Sequence, residues 1–343
     1  MARLLEYCAG AVVSVVLSAT SPVSAGGTLV VLNKSDATAS IIELKTGKVV
    51  ATLPTGLQPH EAAVSPDGKQ ALVTNYGTRE RAGSTLTVID LLRPRVLKTI
   101  DVGSDRRPHG VVFIDARRAL VTAEGTKALL VIDVGKGAVE AAIETAQEVS
   151  HMVAASRDGK RAYVTNIGSG SVTVIDVAAR KVLANVPTGE GAEGVAVTPN
   201  GKEIWVTNRA ADMVSVLDAA TLKVRATIPC ASFPIRVAIT PDGRRALVSN
   251  ARSGDLAVID VAARKEIGRM RAPLEAVSTD GRLFSFKGST PIGVLIHPDG
   301  QHAYVAHANA DAIAVFELSK LQLAGTLVAG REPDGMAFSP HPR

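Results

Sequence analysis

The chain has 343 residues, of which 46% are hydrophobic, 21% are charged and 3% are aromatic. This length is sufficient for one large globular domain or two modest ones. The net charge of +5 is spread over a mixed sequence with no long basic run, and few aromatic rings are available for base stacking. The composition therefore argues against nucleic-acid binding.

The first 25 residues have the features of an export signal. Arg3 supplies a positive charge, residues 9–18 form an apolar segment, and Val23-Ser24-Ala25 fits the small-residue cleavage pattern. The apolar segment is too short to span a bilayer. We therefore expect cleavage after Ala25 and a mature periplasmic or secreted protein that comprises residues 26–343.

Cleavage would leave Cys230 as the only cysteine, which excludes an intramolecular disulfide. The sequence contains no Cys-x-x-Cys-His motif for covalent c-type haem. It also lacks a catalytic serine motif and a phosphate-binding loop, so nothing in it supports nucleophilic catalysis.

A repeated phrase runs along the mature chain, with a short apolar segment followed by a turn such as Pro-Asp-Gly. Its copies are spaced by 49, 42, 42, 42, 57 and 42 residues. A period near 42 residues with four short strands per unit is typical of a β-propeller. The copies begin at His60, His109, His151, Glu193, Ile235, Ile292 and Asp334.

The first complete unit illustrates the strand pattern. Residues 62–64 predict an inner strand, residues 71–75 a second, residues 85–90 an alternating third and residues 96–100 an outer fourth. The Asp67-Gly68 pair between the first two strands is a strong hairpin signal.

The two ends of the mature chain complete each other. Residues 29–33, 40–44 and 49–53 predict second, third and fourth strands without a first strand, and residues 335–339 predict a first strand alone. Joining them gives a seventh blade and removes exposed sheet edges. The sequence therefore predicts an all-β fold, a seven-bladed propeller of four-stranded antiparallel blades with 3+1 closure.

Residues added to the 42-residue unit all fall in loops on one face of the predicted propeller. Five lie between Asn75 and Asp90, two between Asp90 and His109, and fifteen between Asp260 and Ile292. Elaborated loops over a regular scaffold usually mark the working surface. The longest insertion, residues 271–289, is expected either to cover part of the central funnel or to form a surface excursion.

The residue that begins each innermost strand should lie beside the central axis on this face. We call these seven residues the axial positions, and five of them carry ionisable side chains. Seven histidines placed at random would put about 0.14 histidines in seven positions, and three are found. In ring order the axial positions are Asp334, His60, His109, His151, Glu193, Ile235 and Ile292.

Three imidazoles with neighbouring carboxylates are a typical set of metal ligands. Imidazole suits zinc, copper and iron, and a carboxylate can ligate the ion or orient an imidazole. The predicted metal ligands are His60, His109, His151, Glu193 and Asp334, and the first four are also the candidate catalytic residues. Two other interpretations remain: binding of an anionic ligand by the imidazoles, and a solvated polar funnel without a metal.

Two further residues are candidates for cofactor binding. Arg236 directly follows an axial position and is the best anion-binding candidate among the basic residues of this face, most of which are expected to be solvated. His307 stands in the sixth blade where other blades have asparagine at the end of the second strand. We call those strand ends the asparagine positions, and we expect their asparagines to be structural.

The sequences Leu72-Val-Thr-Asn75, Tyr163-Val-Thr-Asn166, Trp205-Val-Thr-Asn208 and Leu247-Val-Ser-Asn250 resemble the YVTN-type β-propeller repeats of bacterial periplasms and archaeal surfaces. The resemblance covers residues 26–343 and implies the fold. Streptogramin-lyase propellers carry similar Pro-His-Gly turns for a metal-assisted elimination, and haem-d1-type propellers hold a tetrapyrrole with axial histidines. The resemblance therefore implies several activities without selecting one.

Three functions follow as expectations. The first is a periplasmic propeller that binds a metal ion, a metal complex or a small anionic ligand, with a periplasmic protein as the partner for delivery. The second is a metal-dependent lyase or hydrolase acting on a lactone or ester. The third is a protein-interaction scaffold without chemistry. In each case we expect a monomer with no membrane span.

Overall fold

A computed structural model describes residues 26–104, 106–279, 281–282 and 284–342. The predicted signal segment and its cleavage site at Ala25 lie outside the described residues. Within them the strands form seven four-stranded antiparallel sheets arranged as the blades of a propeller. No helix in these ranges has the length and apolar character needed to cross a bilayer.

The strands follow the repeat closely, and the blades are numbered from the first complete unit. Short 3₁₀ turns occur at Lys34–Asp36, Glu124–Thr126 and Ala308–Ala310. In chain order the strands are β1 (Thr28–Asn33), β2 (Thr38–Glu43) and β3 (Lys48–Pro54) of blade 7; β4 (Pro59–Val64), β5 (Gln70–Gly77), β6 (Ala82–Asp90) and β7 (Arg95–Asp101) of blade 1; β8 (Pro108–Phe113), β9 (Arg118–Ala123), β10 (Ala128–Asp133) and β11 (Ala138–Glu144) of blade 2; β12 (Ser150–Ala155), β13 (Arg161–Asn166), β14 (Ser171–Asp176) and β15 (Lys181–Pro187) of blade 3; β16 (Ala192–Val197), β17 (Glu203–Asn208), β18 (Met213–Asp218) and β19 (Val224–Pro229) of blade 4; β20 (Pro234–Ile239), β21 (Arg245–Asn250), β22 (Asp255–Asp260) and β23 (Lys265–Met270) of blade 5; β24 (Pro291–Ile296), β25 (His302–His307), β26 (Ala312–Glu317) and β27 (Gln322–Val328) of blade 6; and β28 (Pro333–Ser339), which returns to blade 7.

Blade 7 closes the ring as predicted. Its sheet has the order β28-β1-β2-β3, so the last strand of the chain supplies the innermost strand of the blade that the first strands begin. Leu29 pairs with Phe338 and Val31 with Met336 in an antiparallel register. This pairing confirms both the seven blades and the 3+1 closure.

A β-bulge occurs at the same place in the innermost strand of every blade. In blade 1 the pairing skips from Pro59 to Ala62 while the partner strand advances by only two residues, from Asn75 to Val73. The other innermost strands show the same shift. A bulge re-aims the side chains of its extra residues. Both the axial residue and its successor can therefore point toward the central channel.

A hydroxyl group links neighbouring blades next to five of these bulges, those of blades 1 to 5. In blade 4, Thr207 Oγ1 accepts the Gly194 N–H of its own blade and donates to the Ile235 carbonyl of blade 5, both at 2.8 Å. The Thr in the Val-Thr-Asn phrase thus fixes the next axial residue. The residues that make this link are Thr74, Thr122, Thr165, Thr207 and Ser249.

In blade 4 the residue at the bulge is a glycine, which permits a particularly close approach to blade 5. A Cβ atom added to Gly194 would lie 2.4 Å from the Ile235 carbonyl oxygen, well inside van der Waals contact. The hydrophobic core lies between successive blades: Trp205 of blade 4, for example, packs against Val248 and Ile259 of blade 5. Axial residues of the linked blades are therefore held through their backbone carbonyls, next to an apolar interface between the blades.

Replacing Thr207 by valine tests the hydroxyl link. The substitution preserves the side-chain volume but leaves the Gly194 N–H and the Ile235 carbonyl buried without their partner. We expect the free energy of unfolding, measured by urea denaturation, to fall by about 1–3 kcal/mol. Thr99→Val on the exposed outer strand β7 is the control and should change it by less than about 0.5 kcal/mol. Equal effects of the two substitutions would contradict the link.

Candidate functional site

The five ionisable axial residues lie together around one cavity. His60, His109, His151, Glu193 and Asp334 are each no more than 8% exposed, and all five line a cavity of about 210 Å³ at the propeller axis. The structure therefore brings together every residue predicted as a metal ligand. They occupy five consecutive blades. They lie close together because each begins an innermost strand at the same bulge.

A second set of residues reaches the axis from the place directly after each asparagine position. The side chain of Asn75 points into its blade, where Nδ2 donates to the hydroxyls of Thr85 and Thr87, both at 3.0 Å. The chain then turns, and the next residue faces the axis instead. These post-asparagine residues are Lys34, Tyr76, Glu124, Ile167, Arg209, Ala251 and Ala308.

Sequence reasoning missed three ionisable side chains in this set, Lys34, Tyr76 and Glu124, and counted Arg209 only among the basic residues of this face, most of which it expected to be solvated. Tyr76, Glu124 and Arg209 line the axial cavity, and Lys34 lines an adjoining one. The repeat register carries the signal, since the position after each asparagine holds an ionisable residue in four blades. Because successive side chains of a strand point in opposite directions, the residue after an inward-facing asparagine is expected to face away from the blade.

Three histidine rings and one tyrosine ring form a contiguous group on the polar side of the cavity. The ring centroids of His109 and His151 are 3.7 Å apart, and those of His60 and His109 are 4.8 Å apart. The Tyr76 ring lies 4.6 Å from that of His60. Tyr76 Oη donates to Glu124 Oε2 at 2.6 Å, while Glu124 Oε1 is hydrogen-bonded to His151 Nδ1.

The best arrangement for a metal ion consists of His109, Glu124 and His151. One ligand atom from each lies within 4.8 Å of the others. Among the described residues His109 Nδ1 is buried without a hydrogen-bond partner, whereas His151 Nε2 lies within ion-pair distance of Glu193 Oε1, at 3.4 Å. Two imidazoles and one carboxylate are a donor set suited to zinc or iron.

Glu193 is held by two arginines instead of being free to ligate. Arg209 Nη1 lies 2.7 Å from Glu193 Oε2, and Arg236 Nη1 lies 3.2 Å from Oε1. Burial alone would raise the pKa of Glu193, but Arg209, with His151 and Arg236, lowers it to about 2. The carboxylate is therefore ionised and already balanced.

Arg236, the predicted anion-binding residue, crosses the channel to a carboxylate that the sequence analysis did not identify. Its Nη2 lies 2.6 Å from Oε1 of Glu61, the residue after the axial position of blade 1. Burial raises the pKa of Glu61, and Glu61 and Glu193 together raise the pKa of Arg236 although its burial acts in the opposite direction. The guanidinium thus joins blades 1, 4 and 5 and carries two carboxylate partners.

Asp334 is paired with a buried lysine. Its Oδ2 lies 2.7 Å from Lys34 Nζ, and both side chains are at most 2% exposed. Burial would raise the pKa of Asp334, but Lys34, with help from His60 and Arg236, lowers it. Of the predicted metal ligands, Glu193 and Asp334 are therefore the two engaged in ion pairs with cationic side chains.

The imidazoles differ in their protonation. Burial, followed by the charge of Lys34, lowers the pKa of His60 to about 3, and burial with the neighbouring His151 lowers that of His109 well below its usual value. Burial would also lower the pKa of His151, but Glu124 and Glu193 raise it. At neutral pH His60 and His109 are neutral and present a lone pair.

His307 lies apart from this cavity. Its Nδ1 is hydrogen-bonded to Ser289 Oγ at 2.8 Å, and burial lowers its pKa to about 4. It lines a small gap beside Asp255 and Leu256 inside blades 5 and 6, and it is not among the residues that line the axial cavity.

The long insertion packs onto the apolar sector of the channel. Phe284 and Phe286 of the insertion stack at 5.3 Å, meet Phe233, and contact a cluster at the axial and post-asparagine positions of blades 5 and 6. Asn309 Nδ2 donates to the carbonyl oxygens of Phe284 and Phe286, each at 3.2 Å. Phe284 itself lines the axial cavity, so the insertion covers part of the funnel mouth. The apolar cluster consists of Ile235, Ala251, Ile292 and Ala308.

Arg236→Met tests the bridge across the channel. The substitution leaves Glu61 buried without a cation and removes one of two cations from Glu193. We expect it to cost about 3–5 kcal/mol in the free energy of unfolding. The double variant Glu61→Gln/Arg236→Met should recover part of that loss, and the exposed Arg244→Met should change stability by less than about 0.5 kcal/mol. Chemical denaturation of the four proteins measures this, and no recovery in the double variant would contradict the pairing.

Comparison with known proteins agrees with the architecture. Hydrazine synthase of Kuenenia stuttgartiensis is similar at 22% identity and a TM-score of 0.71, over 92% of this chain and 99% of that chain. A functionally unknown protein of Desulfotomaculum acetoxidans DSM 771 is similar at 15% identity and a TM-score of 0.76, over 93% of this chain and 100% of that chain. At these identities the likeness concerns the fold alone. No match was found among curated proteins. A family model described as a YNCE-like beta-propeller matches residues 24–119 and 119–279, and the chain therefore belongs to the YNCE-like β-propeller family.

Proposed function

We propose that this protein is an exported propeller that binds a divalent transition metal ion at its axis. His109, His151 and Glu124 hold the ion, and the observation that carries the proposal is the approach of their ligand atoms to within 4.8 Å in a buried cavity. Zinc, copper and iron all suit the donor set. Export to the periplasm rests on the sequence features of residues 1–25.

The unpartnered nitrogen of His109 favours a metal over a polar funnel without one. Leaving a buried polar atom without a hydrogen bond costs about 1–3 kcal/mol, so such an atom usually has a role. His109 Nδ1 is in this condition among the described residues, whereas His151 Nε2 has Glu193 Oε1 at 3.4 Å. A scaffold without chemistry does not require a buried imidazole nitrogen without a partner.

The same geometry disfavours an anion at the base of the cavity. Arg236 already has Glu61 and Glu193 as partners, and Arg209 has Glu193. An anion there would have to displace a buried carboxylate from its guanidinium. We therefore assign the axial cavity to a cation.

Three protein donors leave coordination positions open. A closed structural zinc site has four protein ligands, whereas a site with three can accept water, a substrate or a donor from a partner. This supports binding of a metal complex, or delivery of the ion to a second periplasmic protein. Under this proposal His60, whose ring is 4.8 Å from that of His109, is a further neutral imidazole beside the site.

A metal-dependent lyase or hydrolase is the second candidate, favoured by the side chains beside the open positions. Tyr76 Oη and the neutral imidazole of His60 both border the cavity. A bound metal would polarise a carbonyl oxygen or activate water. His60 would then accept the proton, because it is neutral whereas Glu193 is held by Arg209 and Arg236; burial, which lowers the pKa of His60 to about 3, makes it a weak base.

Metal analysis of protein purified from the periplasm without chelator tests the first function. We expect about one equivalent of a transition metal by mass spectrometry, consistent with one donor set. His109→Ala/His151→Ala should lose it, because two of three ligands are gone. His302→Ala/His341→Ala removes two histidines far from the cavity and should retain it. Native protein without stoichiometric metal, or equal loss in both variants, would refute metal binding at the axis.

Turnover by the metal-loaded protein separates the enzyme from the binding protein. If it is an enzyme, a panel of lactones and esters will contain a substrate, and His60→Ala will lose activity by about 100-fold or more while retaining the metal, because general-base catalysis is worth that factor. Full metal content with no turnover of any panel member favours the binding role. Metal content and reaction rate are both measured on the same samples.

A further inference from the structure

A second cavity adjoins the axial one on the elaborated face. We call it the vestibule; it has a volume of about 660 Å³. His60 and Tyr76 line both cavities, so the two share a wall. A ligand of modest size in the vestibule can therefore contact His60 and Tyr76, which also border the axial cavity.

The guanidinium of Arg107 is fixed at the wall of the vestibule. Its Nη1 donates to the Thr78 carbonyl oxygen at 2.9 Å and its Nη2 to that of Arg79 at 3.3 Å. It also lies over the Tyr76 ring, 5.2 Å from the centroid. Thr78 and Arg79 belong to the insertion of blade 1, so those added residues hold this guanidinium in place.

Arg107 and Arg79 have no carboxylate within ion-pair distance in the described ranges, whereas the other cations of the vestibule do. Lys34 is 2.7 Å from Asp334 Oδ2, and Arg282 is 2.6 Å from Asp311 Oδ1. The partners of Arg107 are carbonyl oxygens, which do not neutralise its charge. The remaining N–H groups of such a guanidinium can form a two-point contact with a carboxylate or phosphoryl group.

We propose that the vestibule is a recognition subsite for the oxyanion group of a small ligand, a carboxylate or a phosphoryl group, with Arg107 as the principal contact. The other end of the ligand extends past Tyr76 and His60 toward the axial cavity. This approach to the axial cavity rests on the proposed metal site, whereas anion binding by Arg107 does not. The subsite selects anionic ligands through Arg107, and the exposed Arg79, which lines the vestibule together with Glu80, contributes a second positive charge.

Calorimetric titration at low ionic strength tests the subsite, with succinate and inorganic phosphate as separate probes. Both chelator-treated and zinc-loaded protein are titrated. We expect at least one probe to bind the wild type in each form, and Arg107→Gln to weaken it by about tenfold or more, because a charge-assisted contact is lost. The tighter of the two probes identifies the oxyanion.

Arg106→Gln is the matched control, because it makes the same charge change one residue away and Arg106 does not line the vestibule. It should alter binding by less than about threefold. Equal weakening by the two variants, or no binding of either probe to either form, would overturn the subsite. Arg107→Lys keeps the charge but not the planar fork, and it should weaken binding several-fold in a protein whose unfolding transition is unchanged.

The metal site and the oxyanion subsite can be refuted independently of each other. Metal content of Arg107→Gln should equal that of the wild type, since Arg107 is not a ligand. Loss of anion affinity with full metal content supports the subsite. Anion binding that depends on Arg107 in a protein that never takes up metal would remove the metal proposal and leave the subsite in place.

Discussion

The hydroxyl link between blades is the constraint on which the site depends. Each Thr of the Val-Thr-Asn phrase bonds the bulge of its own blade and the axial carbonyl of the next, as Thr207 does with Gly194 and Ile235. The link is made to the backbone carbonyl of the axial residue, so it does not depend on which side chain that residue carries. Histidine, glutamate and isoleucine can therefore occupy equivalent places in successive blades without altering the scaffold, and chemistry can vary while the fold stays constant.

The different residues at those equivalent places divide the sevenfold funnel into an apolar sector and a polar sector. In blades 5 and 6 both the axial and the post-asparagine residues are apolar, and the phenylalanines of the long insertion pack there. The remaining blades carry the ionisable groups at those two positions, and Arg236 of blade 5, one residue after an axial position, extends from the apolar sector to Glu61 and Glu193. Arg209 connects the two sectors, because it pairs with Glu193 at 2.7 Å and lies over Phe233 at 5.3 Å. The insertion thus reduces an open channel to a cavity that is polar on one side, where an ion bound under the proposed function would be shielded from bulk water.

The sequence predicted the repeat, the closure and the axial residues, because each depends on local spacing that recurs along the chain. It did not predict Glu124 or Tyr76, since the post-asparagine residues share a place in the repeat but not a residue type. The Glu61–Arg236 pair was also missed. Those residues are 175 positions apart, and only ring closure brings them together across the axis. His307 shows the opposite case. It was selected because it differs from the asparagines at the same place in the repeat, but its side chain faces the interior of a blade and is hydrogen-bonded to Ser289.

The distribution of charge among the carboxylates explains why one of them is suited to a metal under the proposed function. Glu193 has two guanidinium partners, and Asp334 has the Lys34 ammonium. Glu124 differs, since among the described residues its hydrogen bonds are to the Tyr76 hydroxyl and the His151 imidazole. A cation that displaces the proton shared by Glu124 and His151 would gain a carboxylate and an imidazole without breaking a pair with lysine or arginine. His109, neutral and without a partner at Nδ1, then supplies the third donor at little cost.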